Sequence, residues 1–194
     1  MRIIGGTVAG LILRAPKGYD VRPTPDLVRQ AIFNSLGECV VGASVLELFG
    51  GTGALSLECL SRGAAHALCI ERSAKHARFI EQNFALTRLP ADSFQVRVQD
   101  VFIAIQQLAA AERRFDLILA DPPFGRKNIG QRSDSLSQRL LDHAAVAQLL
   151  APNGLFVLGH TKRDTLSLPT GWREIKVLKH GDSMVRFQQV NDEK

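Results

Sequence analysis

Val45-Leu46-Glu47-Leu48-Phe49-Gly50-Gly51-Thr52-Gly53-Ala54-Leu55-Ser56-Leu57-Glu58 is the stretch whose reading decides the fold. A short apolar run ends in a cluster of glycines, and a helical apolar pattern starts directly after them, giving strand, turn and helix. Gly50, Gly51 and Gly53 admit positive φ and let a ligand lie against bare backbone, while the amides at the helix start point over the turn. Leu55, Leu57, Cys59 and Leu60 supply a buried helix face, and Gly63 offers a C-terminal cap.

Two familiar occupants of such a turn are disfavoured. A dinucleotide fingerprint needs a third glycine where Ser56 stands, and a Walker phosphate loop needs Gly-Lys-Ser or Gly-Lys-Thr, which does not follow these glycines. What remains is a glycine turn with Glu47 near the carboxyl end of the strand, where a cationic amine can be held. The competing reading is a tight strand-to-helix turn with no ligand.

Outward from this turn, strands and helices alternate as parallel sheets require. The pattern predicts strands at 44–48, 67–70, 95–98, 117–120 and 155–159, with helices at 54–61, 74–86, 102–110 and 135–150. Segments 173–178 and 184–190, separated by His180-Gly181-Asp182-Ser183, predict a closing hairpin and hence one antiparallel strand. Upstream, Arg2-Ile3-Ile4-Gly5-Gly6 and Leu11-Ile12-Leu13 predict a small hairpin. Arg22-Pro23-Thr24-Pro25 then starts a helix, with Thr24 as N-cap, Pro25 at the first helical position, and Val28, Ile32, Phe33 and Leu36 on one face.

At 194 residues the chain suits one well-buried body. Its apolar runs are too short to span a bilayer and no signal core follows Arg2, so a cytoplasmic location is expected. Cys39, Cys59 and Cys69 lack metal-ligand spacing and are expected as reduced core residues; no metal is assigned. A net charge of +5 and a pI near 9.4 suit a polyanionic partner. The surplus lies in residues 1–37 and 125–139, where Arg22, Arg29, Arg126 and Lys127 are candidates to meet phosphate, against the alternative of a merely solvated surface.

In a doubly wound sheet ligands bind beyond the carboxyl ends of the strands, and here those ends are acidic: Glu47, Glu71, Asp100 and Asp121. Glu71, about twenty residues past the glycines, is placed to accept from both hydroxyls of a ribose. Asp100 suits an adenine amino group or a helix cap. In Asp121-Pro122-Pro123-Phe124 the prolines fix φ and hold Asp121 extended, aiming its carboxylate. Phe124 offers a face for an extruded base to stack on. The histidines are scattered without ligand spacing, and Tyr19 and Trp172 are isolated aromatics; all are expected in structural or surface roles.

Taken in order, Arg2-Ile3-Ile4-Gly5-Gly6, Arg22-Pro23-Thr24, Val28-Arg29-Gln30-Ala31-Ile32-Phe33, the glycine turn, Asp121-Pro122-Pro123-Phe124 and Lys179-His180-Gly181-Asp182 resemble the class I S-adenosylmethionine-dependent methyltransferases. The closer resemblance is to the RsmD-type 16S rRNA guanine-N2 methyltransferases, over nearly the whole chain. It departs at Glu47, Gly50, Gln30, Ala9 and Ile12, and in a longer segment at 125–137. The resemblance implies a Rossmann-like α/β fold with a seven-stranded sheet and reversed final strand, comprising an RNA-gripping extension at 1–37 and a methyltransferase domain at 38–194.

The resemblance further implies S-adenosylmethionine held by Thr24, Glu47, Phe49, Gly51, Gly53, Glu71, Arg72, Asp100, Val101 and Asp121. Asp121, Pro122 and Phe124 would serve catalysis, and Arg22, Arg29, Pro123, Phe124, Arg126 and Lys127 would hold the substrate. The implied partner is 16S rRNA within the small subunit or an assembly intermediate, met by a monomer. An acceptor-only carboxylate at Asp121 suits guanine, whose Watson–Crick edge carries adjacent N1–H and N2–H donors. Alternatives are an N6-adenine DNA methyltransferase, a glutamine methyltransferase, disfavoured because it usually has Asn at this position, and a non-catalytic RNA-binding module.

Overall fold

The computed structural model describes residues 1–15, 24–123 and 132–191, so Arg22, Tyr19, Phe124, Arg126 and Lys127 lie outside the described residues. In chain order the elements are α1 (Asp26–Leu36), β1 (Ser44–Leu48), α2 (Ala54–Ser61), β2 (His66–Glu71), α3 (Ala74–Thr87), β3 (Phe94–Val98), α4 (Val101–Ala110), β4 (Phe115–Ala120), α5 (Leu136–Asp142), α6 (Ala144–Gln148), β5 (Leu150–Thr161), β6 (Trp172–His180) and β7 (Ser183–Val190). The strands form one seven-stranded sheet in the order β3-β2-β1-β4-β5-β7-β6. β1 to β5 pair parallel, and β7 enters antiparallel between β5 and β6. This is the Rossmann-like class I methyltransferase sheet, with its reversed last strand.

The apolar strands read as continuous runs because both faces are covered. Successive side chains point to opposite faces, so Val45, Leu117, Leu119 and Val157 enter a core with α1 and α2. Leu46, Ile118, Ala120 and Leu158 enter a second core with α4, α5 and α6. The chain moves outward in one direction from β1 through β3, then returns to build β4 and β5 on the other side. The reversal lies between β1 and β4, which pair with Leu48 opposite Ala120. The crevice at such a reversal is where open α/β sheets take ligands, and here it is flanked by the glycine turn and by Asp121.

Two expectations are corrected. The helix predicted at 135–150 is broken at His143, whose backbone is extended. The Trp172 indole donates to the Leu141 carbonyl at 3.2 Å, taking the acceptor that an unbroken helix would offer to Ala145. The expected small N-terminal hairpin is present as a looped segment in which Arg2 bridges antiparallel to Ile12, with the amides of Ile3 and Leu13 donating to the carbonyls of Leu11 at 2.9 Å and Met1 at 3.0 Å. Cys39 is exposed rather than in the core, whereas Cys59 and Cys69 are buried.

Side chains of the main body hold that loop in place. The buried Glu58 carboxylate accepts from the amides of Ile4 at 2.7 Å and Gly5 at 2.8 Å, and from Arg62 Nε at 2.8 Å. Asn83, on the buried face of α3, grips the other end. Its Oδ1 accepts from the Arg14 amide at 2.7 Å, and its Nδ2 donates to the carbonyls of Arg14 at 2.9 Å and Thr52 at 3.1 Å. One amide therefore ties the N-terminal segment to the glycine turn.

Candidate active site

The glycine turn is built by close approach as much as by backbone freedom. Gly51 and Gly53 have φ of 57° and 74°, as expected, and Phe49 also lies in the left-handed region at 61°. Gly50 does not, which corrects the reading of its role: a Cβ there would collide with the Cys69 sulfur. At Gly53 a Cβ would come within 2.7 Å of Ile80 Cγ2. The turn is pressed against Cys69 of β2 and Ile80 of α3.

Glu47 supports this turn from below. It is 2 % exposed, and its Oε2 accepts from the Ser56 amide at 2.9 Å, tying β1 to the first turn of α2. The expectation that it meets a cationic amine is corrected, because the carboxyl is enclosed by protein. Burial raises its pKa to about 7, against the opposing pull of hydrogen bonds from Ser56 and Cys69.

A raised folded value means that the folded chain holds the proton more tightly than the unfolded one. This contribution to stability is complete below pH ~4.5 and is lost as pH rises through about 7. Glu47→Gln keeps an oxygen for Ser56 without the charge. Thermal unfolding is expected to show the variant gaining on wild type from pH 5 to pH 8, by up to ~3 kcal/mol. A pH-independent difference would count against the buried, proton-holding state.

Glu71 and Asp100 stand at the ends of β2 and β3. Glu71 Oε2 accepts from the Gly51 amide at 2.8 Å and Oε1 from the Ser73 amide at 2.7 Å, with His76 Nδ1 at 3.7 Å from Oε1, so its carboxylate is held in one orientation. Asp100 caps α4 through Oδ1, accepting from Phe102 at 2.9 Å and Ile103 at 3.3 Å. Arg72 is exposed beside Glu71, and Val101 is 3 % exposed and packs into the second core.

Asp121 follows β4, with Pro122 buried and Pro123 exposed after it. The Thr24 hydroxyl donates to Asp121 Oδ2 across 97 positions of sequence. Thr24 is therefore not the N-cap of α1; Pro25 holds that position and no side chain caps the helix. Arg29, expected to meet substrate, is fully buried, donating to the Arg2 carbonyl at 2.5 Å and to Asp26 at 2.8 Å. It fastens α1 to the N-terminal loop instead.

Beside Asp121 opens a largely apolar hollow of about 510 Å3, counted with its mouth, between α1, Leu55 of α2 and the ends of β4, β5 and β7. Sequence reasoning passed over His160, which lines it. His160 Nδ1 faces the carbonyls of Thr161 at 2.9 Å and Asp164 at 3.1 Å, and Arg186 donates to Nε2 at 3.0 Å. Burial first, then the Arg186 charge, lower its pKa, and the same contacts assign the neutral ring with its proton on Nδ1. The one available signal was a histidine ending an apolar strand.

A model of the family described as "Conserved hypothetical protein 95" matches residues 1–189. The chain is 38% identical over 126 residues to the Ribosomal RNA small subunit methyltransferase D of Escherichia coli K12, a match covering 65% of this chain and 61% of that protein. It is 28% identical to the protein of the same name from Haemophilus influenzae, over 97% of this chain and 93% of the other. Among solved structures, that of the Escherichia coli protein named "Putative methyltransferase yhhF" superposes with a TM-score of 0.80 at 29% identity, covering 100% of this chain and 99% of that one. With a full-length family match on a class I sheet, the chain belongs to the conserved hypothetical protein 95 family, the RsmD-type S-adenosylmethionine-dependent methyltransferases.

Proposed function

We propose that this protein transfers a methyl group from S-adenosylmethionine to the exocyclic N2 of a guanosine in small-subunit rRNA. The observation that carries the reading is Asp121, held by Thr24 at the sheet reversal, one strand from the glycine turn. The chain's likeness to proteins named small subunit rRNA methyltransferases supports the substrate class.

The residues at the rim fit the cofactor. Gly51 and Gly53 take positive φ, so the strand-to-helix turn presents main chain without side chains there, and Glu71 is a rim carboxylate able to accept from ribose hydroxyls. Phe49, Gly51, Arg72 and Asp100 complete the set proposed to hold it, and the bound group supplies an activated methyl on sulfur. Glu47 acts beneath them by fixing the turn.

The amine to be methylated is a poor nucleophile because its lone pair is delocalised into the base. An acceptor of its hydrogens keeps that nitrogen in place and stabilises positive charge as it forms, so Asp121 contributes by orientation and electrostatics. Its carboxylate only accepts, which matches guanine's paired donors and mismatches adenine's donor beside an acceptor. Residues 1–37 are proposed to grip RNA, with Arg29 holding that segment rather than the nucleic acid.

Small subunits from cells lacking this protein, incubated with it and methyl-labelled S-adenosylmethionine and digested to nucleosides, are expected to carry label in N2-methylguanosine. Label in N6-methyladenosine, or none, would overturn the proposal.

A further inference from the structure

We propose that Thr24 and Gly159 are positioning residues that together set the orientation of the Asp121 carboxylate, making the entry to α1 a working part of the methyl-transfer site. This rests on the function proposed above and deepens it. The two oxygens of Asp121 are constrained from different elements. At Oδ2 the Thr24 hydroxyl donates its only proton. At Oδ1 the carboxylate lies against Gly159 of β5, where a Cβ would stand 2.5 Å from Oδ1 and 3.1 Å from the carboxyl carbon.

Gly159 is not required by its backbone, since its φ is not among the positive values. The close approach of Asp121 is what excludes a side chain. Register explains the neighbourhood: Ala120 pairs with Leu158, so Asp121 and Gly159 are the next residues along adjacent strands. Proline after Asp121 fixes where the carboxylate starts from, and the Thr24 and Gly159 contacts fix how it turns about its own side-chain bonds.

Thr24 reaches Asp121 from the chain just before α1, whose other anchor is the buried Arg29 bonded to the N-terminal loop. Docking of that loop and aim of the carboxylate are thus mechanically joined.

The test compares Thr24→Val, Thr24→Ser and Gly159→Ala with wild type in three measurements: methyl incorporation into undermethylated small subunits, S-adenosylmethionine affinity by calorimetry, and thermal midpoint. Thr24→Val keeps the shape of the side chain and removes the donor. It is expected to lower kcat about 10- to 100-fold, with cofactor affinity within about threefold of wild type. Thr24→Ser restores the donor and should recover most of kcat. Gly159→Ala is expected to lower kcat at least as far as Thr24→Val.

Equal rates for the Val and Ser variants, or a loss carried by cofactor affinity with kcat retained, would overturn the positioning role; the second result would assign Thr24 to the cofactor. Absence of incorporation by wild type would overturn the underlying function and the cradle with it. Incorporation that survives in Thr24→Val and Gly159→Ala would overturn the cradle alone.

Discussion

Asp121→Asn is expected to lower kcat for methyl incorporation by at least about a hundredfold, with S-adenosylmethionine affinity altered far less. Asparagine preserves size and the backbone set by Pro122, so the change isolates the chemistry of the carboxylate. An amide offers one acceptor oxygen and two donor hydrogens where the carboxylate offers acceptors alone. If its NH2 end faces an incoming guanine, donor meets donor. If its oxygen does so, the NH2 end faces the Thr24 hydroxyl and that hydrogen bond must be rebuilt with the hydroxyl as acceptor.

The same substitution probes base choice. The exchanged pattern of donors and acceptors matches adenine's edge better than guanine's, so labelled products are read as both N2-methylguanosine and N6-methyladenosine. Unchanged rate and unchanged product would remove Asp121 from the chemistry. Asp121→Ala is the companion variant: it deletes the acceptor without supplying a donor, and a loss similar to that of Asn identifies the missing acceptor as the cause.

What the sequence disclosed, and what it withheld, follows from the range of the interactions involved. β1, the turn and α2 were legible because a strand of apolar residues, glycines and a helical period lie within one short stretch. The acidic strand ends were legible from their place in an alternating pattern, which also located the rim. Partners distant in the chain were not legible. Thr24 stands before a proline in a good N-cap setting, and nothing local reveals that its hydroxyl goes to Asp121. Arg29 lies on a helix beside a basic segment and resembles a surface cation, but its side chain turns inward to the Arg2 carbonyl. Glu47 sits where a ligand acid belongs, yet the pleat of β1 turns it under the glycines.

Glu58 was equally hidden, and its removal carries the largest expected cost in stability. Glu58→Ala is expected to destabilise the fold by about 3 kcal/mol, because the lost carboxylate is the shared acceptor of three charge-assisted hydrogen bonds. The reason is the number of groups left behind. Glu58 is 0 % exposed and accepts from two backbone amides, Ile4 and Gly5, and from Arg62, whose side chain is 23% exposed.

Deleting the carboxylate leaves two partly buried amide donors and one partly buried cation without their acceptor together. Glu58→Gln keeps one acceptor oxygen but cannot serve both amides, so it should fall between alanine and wild type. Hydrogen exchange separates this account from a general loosening. The amides of Ile4 and Gly5 should lose protection first and most, before those of β4 and β5 in the sheet centre. Because Arg29 and Asn83 join the same N-terminal segment to α1 and to the glycine turn, cofactor affinity and methyl transfer should fall along with that local protection. Full protection of Ile4 and Gly5 in the alanine variant would show that the segment is held by other contacts.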